Sequence, residues 1–156
     1  MFRISRRLDY GMQLMIALAQ ETENAAQPTA QLAEKLQIPL PFLHQIGHTL
    51  MQAGLIKASP GPRGGLRLNQ NAEDITILKI AETLEGPICI NACLGCEEEC
   101  MRQDECSAKL LWEEIQQNII QVLSTTTLES LASKQTKISN INFNLPEKDH
   151  SNINLN

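Results

Sequence analysis

Proline and glycine cut the first 70 residues into short amphipathic pieces, and that punctuation constrains the fold more than any other feature of the chain. Residues 5–20 carry Leu8, Met12, Met15, Ile16 and Ala19 on an i, i+4, i+7, i+8 stripe, which predicts a helix. A polar connector runs from Glu21 to Pro28. Thr29 is a good N-cap for a short helix with Leu32, Ala33 and Leu36 on one face. Gln37-Ile38-Pro39 ends that helix, because proline disfavours helix in the residue before it. Pro41 suits the first turn of the next helix. Leu43, Ile46 and Leu50 form its apolar face, and Gly54 is placed to terminate it. Two short apolar segments, 55–58 and 66–68, flank Ser59-Pro60-Gly61-Pro62-Arg63-Gly64-Gly65, which predicts a hairpin with a Pro/Gly-rich tip. Asp74 is the expected cap of a further helix with Ile77, Ile80, Ala81 and Leu84 facing inward, and Glu85-Gly86-Pro87 ends it.

The second half is organised differently. All five cysteines of the chain, Cys89, Cys93, Cys96, Cys100 and Cys106, fall within eighteen residues. Ser107 then precedes a long helix to about Leu123, striped by Leu111, Ile115, Ile119, Val122 and Leu123 and widened by Leu110, Trp112 and Ile120. That is more apolar surface than a lone surface helix needs and predicts a partner helix. A last short helix is expected within 125–132, and the Asn-rich stretch from about Ser133 is expected to be disordered. The fold class is therefore mainly α with a small β-hairpin wing. Four regions are expected: a winged helix-turn-helix domain over 1–86, a cysteine-rich loop over 87–106, a dimerisation helix region over 107–132 and a polar tail over 133–156.

Helix, short turn, helix and hairpin is the layout of a DNA-binding winged helix-turn-helix, whose second helix enters the major groove. Its outward candidates are Phe42, His44, Gln45, His48, Thr49 and Gln52. Glutamine bonds adenine bidentately, and an apolar group touches the thymine methyl. Arg63, on a thin loop, suits a narrow and electronegative minor groove. Arg3, Arg6 and Arg7 are candidates for phosphate contacts. The net charge of −5 hides an asymmetry. Residues 1–70 carry seven Lys/Arg against four Asp/Glu, a balance of +3, while 71–156 carry six against fourteen, a balance of −8. An acidic chain can still bind DNA when its cations lie on the contacting face. Two bland readings stand beside this one: a helical bundle without DNA, and His44 with His48 sharing one metal ion, a site with no adjoining carboxylate or cysteine to complete it.

For the cysteines, clustering and an odd count favour a metal or iron–sulfur cluster over disulfides in a reducing cytoplasm. No apolar span is long enough for a membrane, and the opening residues do not read as a secretory signal, so a cytoplasmic location is expected. Cys93-Leu94-Gly95-Cys96 is a Cys-x-x-Cys pair, but Cys100 and Cys106 make no second one, so the spacing is not that of a zinc ribbon. Free thiols in an acidic loop are the competing reading. Nothing supplies a nucleophile–base constellation for a thiol enzyme, and no enzymatic activity is expected.

Taken in order, Arg3-Ile4-Ser5, Leu43-His44-Gln45-Ile46 with Leu50 and Ala53-Gly54-Leu55, the wing 61–68, Leu84-Glu85-Gly86-Pro87-Ile88, the cysteine loop and Leu111-Trp112 resemble the IscR/NsrR-type family of winged-helix iron–sulfur transcription regulators. The resemblance covers about residues 1–132. It implies a homodimer joined through the long helix, double-stranded operator DNA as partner, and an iron–sulfur cluster, 2Fe–2S ahead of 4Fe–4S. By position the implied ligands are Cys93, Cys100 and Cys106. The family's first interval holds five residues and here it holds six, so Cys96 is an alternative to Cys93. Cys89 falls too early. Where some members place a ligating histidine this chain has Lys109. Asp9 matches the aspartate that other members contribute from the partner subunit, and a surface Asp9 pairing with Arg6 or Arg7 is the alternative. Pro60 and His44 stand where relatives often carry arginine and glutamate, which implies a different operator sequence. A cluster-free repressor controlled by a partner or small ligand, and a thiol redox enzyme or electron carrier, are the competing functions.

Overall fold

A computed structural model describes residues 3–21, 25–61, 64–94 and 106–133. Six helices and one hairpin follow in order: α1 (Arg6–Ala19), α2 (Thr29–Leu36), α3 (Leu40–Gln52), β1 (Ile56–Ser59), β2 (Gly65–Leu68), α4 (Ile77–Glu85), α5 (Ser107–Thr125) and α6 (Leu128–Ala132). The mainly helical architecture with a two-stranded wing is the one the sequence predicts.

The local boundaries follow from capping chemistry. Ser5 caps α1 by accepting a hydrogen bond from the Leu8 amide at 3.0 Å. Thr29 is not the cap of α2 but its first residue, because Pro28 holds the preceding extended backbone (φ −57°, ψ 128°) and makes no side-chain cap. The turn between α2 and α3 is closed by Gln37 in the left-handed region (φ 54°). There the Ile38 amide donates to the Ala33 carbonyl at 3.0 Å and the Gln37 amide to Glu34 at 3.2 Å. Gly54 (φ 71°) ends α3 in the same way, with the Leu55 amide reaching the Leu50 carbonyl at 3.0 Å. Asp74 does not cap α4. Residues Ala72–Asp74 form a 3-10 turn, and Thr76 caps α4 by accepting from the Lys79 amide at 3.2 Å.

The hairpin is antiparallel, with Ile56 opposite Leu68 and Lys57 opposite Arg67. Gln27 adds a rung, exchanging two 2.8 Å backbone hydrogen bonds with Leu66. The core is built around α1, which packs against α2, α3, α4, α6 and β2. Leu14, Met15, Leu18, Leu32, Leu43, Ile46, Leu50, Ile80 and Leu128 are buried there, and among the described residues no polar side chain is buried with them. The helical stripe expected for α1 is rotated: Gly11, Leu14, Ala17 and Leu18 join Met15 as its buried residues, because α1 is enclosed by neighbours on several sides rather than one. α6 is tied to the start of α4 by the Ile77 amide donating to Thr126 at 2.9 Å and the Leu128 amide to Ile75 at 2.8 Å.

α5 stands apart. It packs on α4, yet none of its residues is buried within one chain, and Leu110 and Leu111 are 70% and 51% exposed. Its stripe is only partly covered in the single chain: Ile115, Ile119, Val122 and Leu123 are half-buried and Leu111 is exposed. The expected disordered tail falls, apart from Ser133, outside the described residues.

Candidate functional site

Two candidate sites stand out among the described residues. The first is the surface made by α3 and the wing. His44, Gln45, His48 and Gln52 are exposed on α3, and Thr49 is half-buried. With Met51, Ala58 and Leu66 some of these line an open cleft of about 690 Å³ between α3 and the hairpin. Phe42 is placed differently. It is half-buried and meets the Tyr10 ring of α1 edge-on, with centroids 5.6 Å apart at 86°, so it braces α3 against α1. The wing carries two facing cations, Lys57 and Arg67, and Arg67 is steadied by a 3.1 Å bond from its Nε to Ser59 Oγ. Arg63 lies outside the described residues. Arg3, Arg6 and Arg7 are exposed at the start of α1. Arg7 reaches across to α3, its Nη2 donating to Thr49 Oγ1 at 3.1 Å, and Thr49 Oγ1 in turn donates to the Gln45 carbonyl at 3.1 Å. The sequence offered no sign of this contact, because it joins residues 42 positions apart.

The second site is the cysteine segment. Cys100 and the alternative ligand Cys96 lie outside the described residues. Cys93 sits in a 3-10 turn, Ala92–Leu94, that packs on α5, and the Ile90 amide donates to Gln116 Oε1 of α5 at 3.1 Å. Cys106 is the N-cap residue of the same helix and makes no side-chain cap hydrogen bond. Both described ends of the loop are thus seated on α5, and both thiols are half-buried and free. Two of the implied ligand thiols are described here, and Cys106, at the N-terminus of α5, stands where the helix dipole favours an anionic thiolate. Cys89 is exposed and turned to its own chain, its Sγ 3.0 Å from the Asn91 carbonyl. Lys109 is paired with Glu113 of the next helical turn at 3.7 Å.

Asp9 pairs with neither Arg6 nor Arg7. Its carboxylate accepts from Gln13 Nε2 at 3.0 Å. It borders a largely apolar groove of about 790 Å³ between α1, α4, the 86–90 segment and α5, with Ile4, Leu8, Ile88 and Ile119 in the walls and Cys89 on the same rim. Among the described residues no three metal-binding side chains converge, so within one chain Asp9 does not join Cys93 and Cys106.

A helix-turn-helix braced on α1, with an antiparallel wing beside the second helix, defines a winged helix-turn-helix protein. Residues 4–134 match the Rrf2 family, described as iron-dependent transcriptional regulators, and the chain belongs to that family. It is accordingly a transcriptional regulator and not an enzyme. Among curated relatives it is 27% identical over 133 residues to the HTH-type transcriptional regulator IscR of Photorhabdus laumondii, covering 85% of this chain and 80% of that one. Among solved structures it resembles CymR, the global cysteine regulator of B. subtilis, at 32% identity over 87% of this chain and 100% of that one, with a TM-score of 0.75. T. potens IscR aligns at 26% identity over 88% of this chain and 90% of the other, with a TM-score of 0.71. These likenesses bear out the IscR-type resemblance. No described helix is long and apolar enough to cross a membrane.

Proposed function

We propose that this regulator acts in the cytoplasm as a homodimer that binds operator DNA and senses redox state, nitric oxide or iron and cluster supply through an iron–sulfur cluster. The observation that carries this reading is the seating of both Cys93 and Cys106 on α5, the helix whose leading leucines, Leu110 and Leu111, are left exposed in one chain. A cluster held there ties the thiolate loop to the dimer helix on one side and to the winged domain, through α4, on the other. Cys93, Cys100 and Cys106 are the cysteine ligands, with Asp9 of the second subunit as the fourth. The cluster is 2Fe–2S ahead of 4Fe–4S. His44 and Gln45 read bases in the major groove, Phe42 sets the angle of α3 and supplies its exposed edge, and Arg63 enters the minor groove. Loss or oxidation of the cluster moves the two recognition helices relative to each other, and a dimer reads that as a changed half-site spacing.

A cluster-free repressor controlled by a partner or small ligand is the second reading. It is favoured by the six-residue Cys93–Cys100 interval and by the likeness to a regulator named for cysteine. Iron and acid-labile sulfide in the anaerobically purified protein separate the two. Stoichiometric iron that is lost on replacing Cys106 with alanine supports the cluster, and a colourless, iron-free dimer that still binds its promoter supports the repressor.

A further inference from the structure

From the end of α4, eight residues before Cys93, side-chain hydrogen bonds lead through the start of α1 to the DNA-reading helix. Glu85 is the last residue of α4, followed directly by Gly86 (φ 85°) and Pro87, and it stands eight positions before Cys93. Its Oε1 accepts a 2.8 Å hydrogen bond from the hydroxyl of Ser5. That serine is also the cap of α1, its Oγ accepting from the Leu8 amide. Two residues on, Arg7 holds Thr49 in the middle of α3, and Thr49 bonds the carbonyl of Gln45.

The packing beneath these bonds leaves little slack. A Cβ built on Gly11 of α1 would collide with the side chain of Leu84, the residue before Glu85, and would lie 3.6 Å from Ile46 of α3. Leu84 and Ile46 are themselves 3% and 1% exposed. α1, α3 and α4 therefore meet at one glycine, and a shift at the end of α4 is transmitted rather than absorbed, since close-packed interiors are bistable rather than continuously deformable.

We propose that Glu85 and Arg7 are positioning residues through which the state of the cysteine segment sets the placement of α3. The inference rests on the cluster-sensing reading above. Occupancy of the cysteine loop fixes the stem 86–90. The stem fixes the Glu85 carboxylate, and Glu85 holds the Ser5 cap and so the N-terminal turn of α1. Arg7 on that turn then fixes Thr49 and the backbone of Gln45. Neither Glu85 nor Arg7 is a ligand of the cluster.

The test uses the full-length dimer, cluster-loaded and chelator-stripped under anaerobic conditions, and a fluorescent duplex selected in vitro against the wild type. Anisotropy gives the affinity of each state, and their ratio is the readout. Allosteric couplings fall in the range of about 5–150-fold, and a wild-type ratio in that range is expected. Glu85→Ala should bring the ratio to within about threefold of unity, with iron content and sedimentation unchanged. Glu85→Gln keeps an oxygen acceptor for Ser5 and should restore most of the ratio. Arg7→Met should also collapse it while leaving iron intact. If the wild type shows a ratio and Glu85→Ala keeps all of it, the link is refuted and cluster sensing stands. If the wild type holds no iron or binds DNA equally in both states, the sensing reading falls and the link with it. If Glu85→Gln fails to restore what Glu85→Ala removes, the hydrogen bond is not the coupling element.

Discussion

Replacing Gly11 with alanine measures how tightly the three central helices are locked. In an exposed helix interior the change would stabilise by about 0.5–1 kcal/mol through reduced backbone entropy. Here the new methyl meets the Leu84 side chain, which is almost fully buried and has no solvent to swing into. Overpacking of this kind costs about 1–3 kcal/mol, so the net expectation is a loss of about 1–2 kcal/mol. Equilibrium denaturation in urea at fixed protomer concentration reads it as a lower midpoint at constant slope. The sharper assay is a double-mutant cycle. Leu84→Ala alone should cost about 2–5 kcal/mol through the cavity it leaves. In the Gly11→Ala background it should cost less, because the methyl occupies part of that cavity, with a coupling energy of about 0.5–3 kcal/mol. Strict additivity, or a Gly11→Ala protein more stable than the parent, would refute the close approach of α1 and α4.

Three further outcomes are expected. Gln37→Gly should raise stability by up to about 1 kcal/mol, since a left-handed non-glycine residue costs about 1–2 kcal/mol and glycine gives part of that back as unfolded-state entropy; thermal melting checks it, and a lower midpoint would count against it. Leu110→Glu together with Leu111→Glu should shift the protein from dimer to monomer in analytical ultracentrifugation with little change in helix content, because both side chains are mostly exposed in the single chain; an unaltered dimer would show that α5 uses another face. Arg63→Ala should weaken operator binding and lower the salt dependence of log affinity by about one unit, with iron content untouched; unchanged affinity would remove the wing tip from the interface.

Features written in local chemistry were legible in the sequence. Gly54, the Pro39–Pro41 interruption and the Pro/Gly-rich hairpin are each punctuated by residues whose backbone restrictions leave few alternatives, and each element appears where that chemistry puts it. Choices between equivalent caps were not legible. Asp74 and Thr76 are both good caps two residues apart, and the bridge joining Thr76 to Thr127 at the start of α6 selects the second. Thr29 lost the same competition to Pro28. The role of Phe42 was hidden because its partner, Tyr10, is an aromatic ring 32 positions away. The Arg7–Thr49 and Ser5–Glu85 bonds are invisible for the same reason: no spacing rule reaches across 42 or 80 residues. Glycine is a poor helix former, and the approach of Leu84 accounts for its place at Gly11 within α1. The apolar excess of α5 was legible as surface wanting a partner, and the structure leaves Leu110 and Leu111 of that surface exposed in one chain.

The proposed iron–sulfur cluster of the cysteine loop, whose state governs DNA binding, is tested at its own absorbance. The most direct measurement is anaerobic absorption spectroscopy with iron and sulfide quantified per protomer, followed through exposure to air or nitric oxide while operator binding is recorded on the same sample. The expected result is a coloured dimer with stoichiometric iron and sulfide, and bleaching that runs in step with a change in affinity. A colourless protein, or a cluster that bleaches while operator binding stays constant, would contradict it.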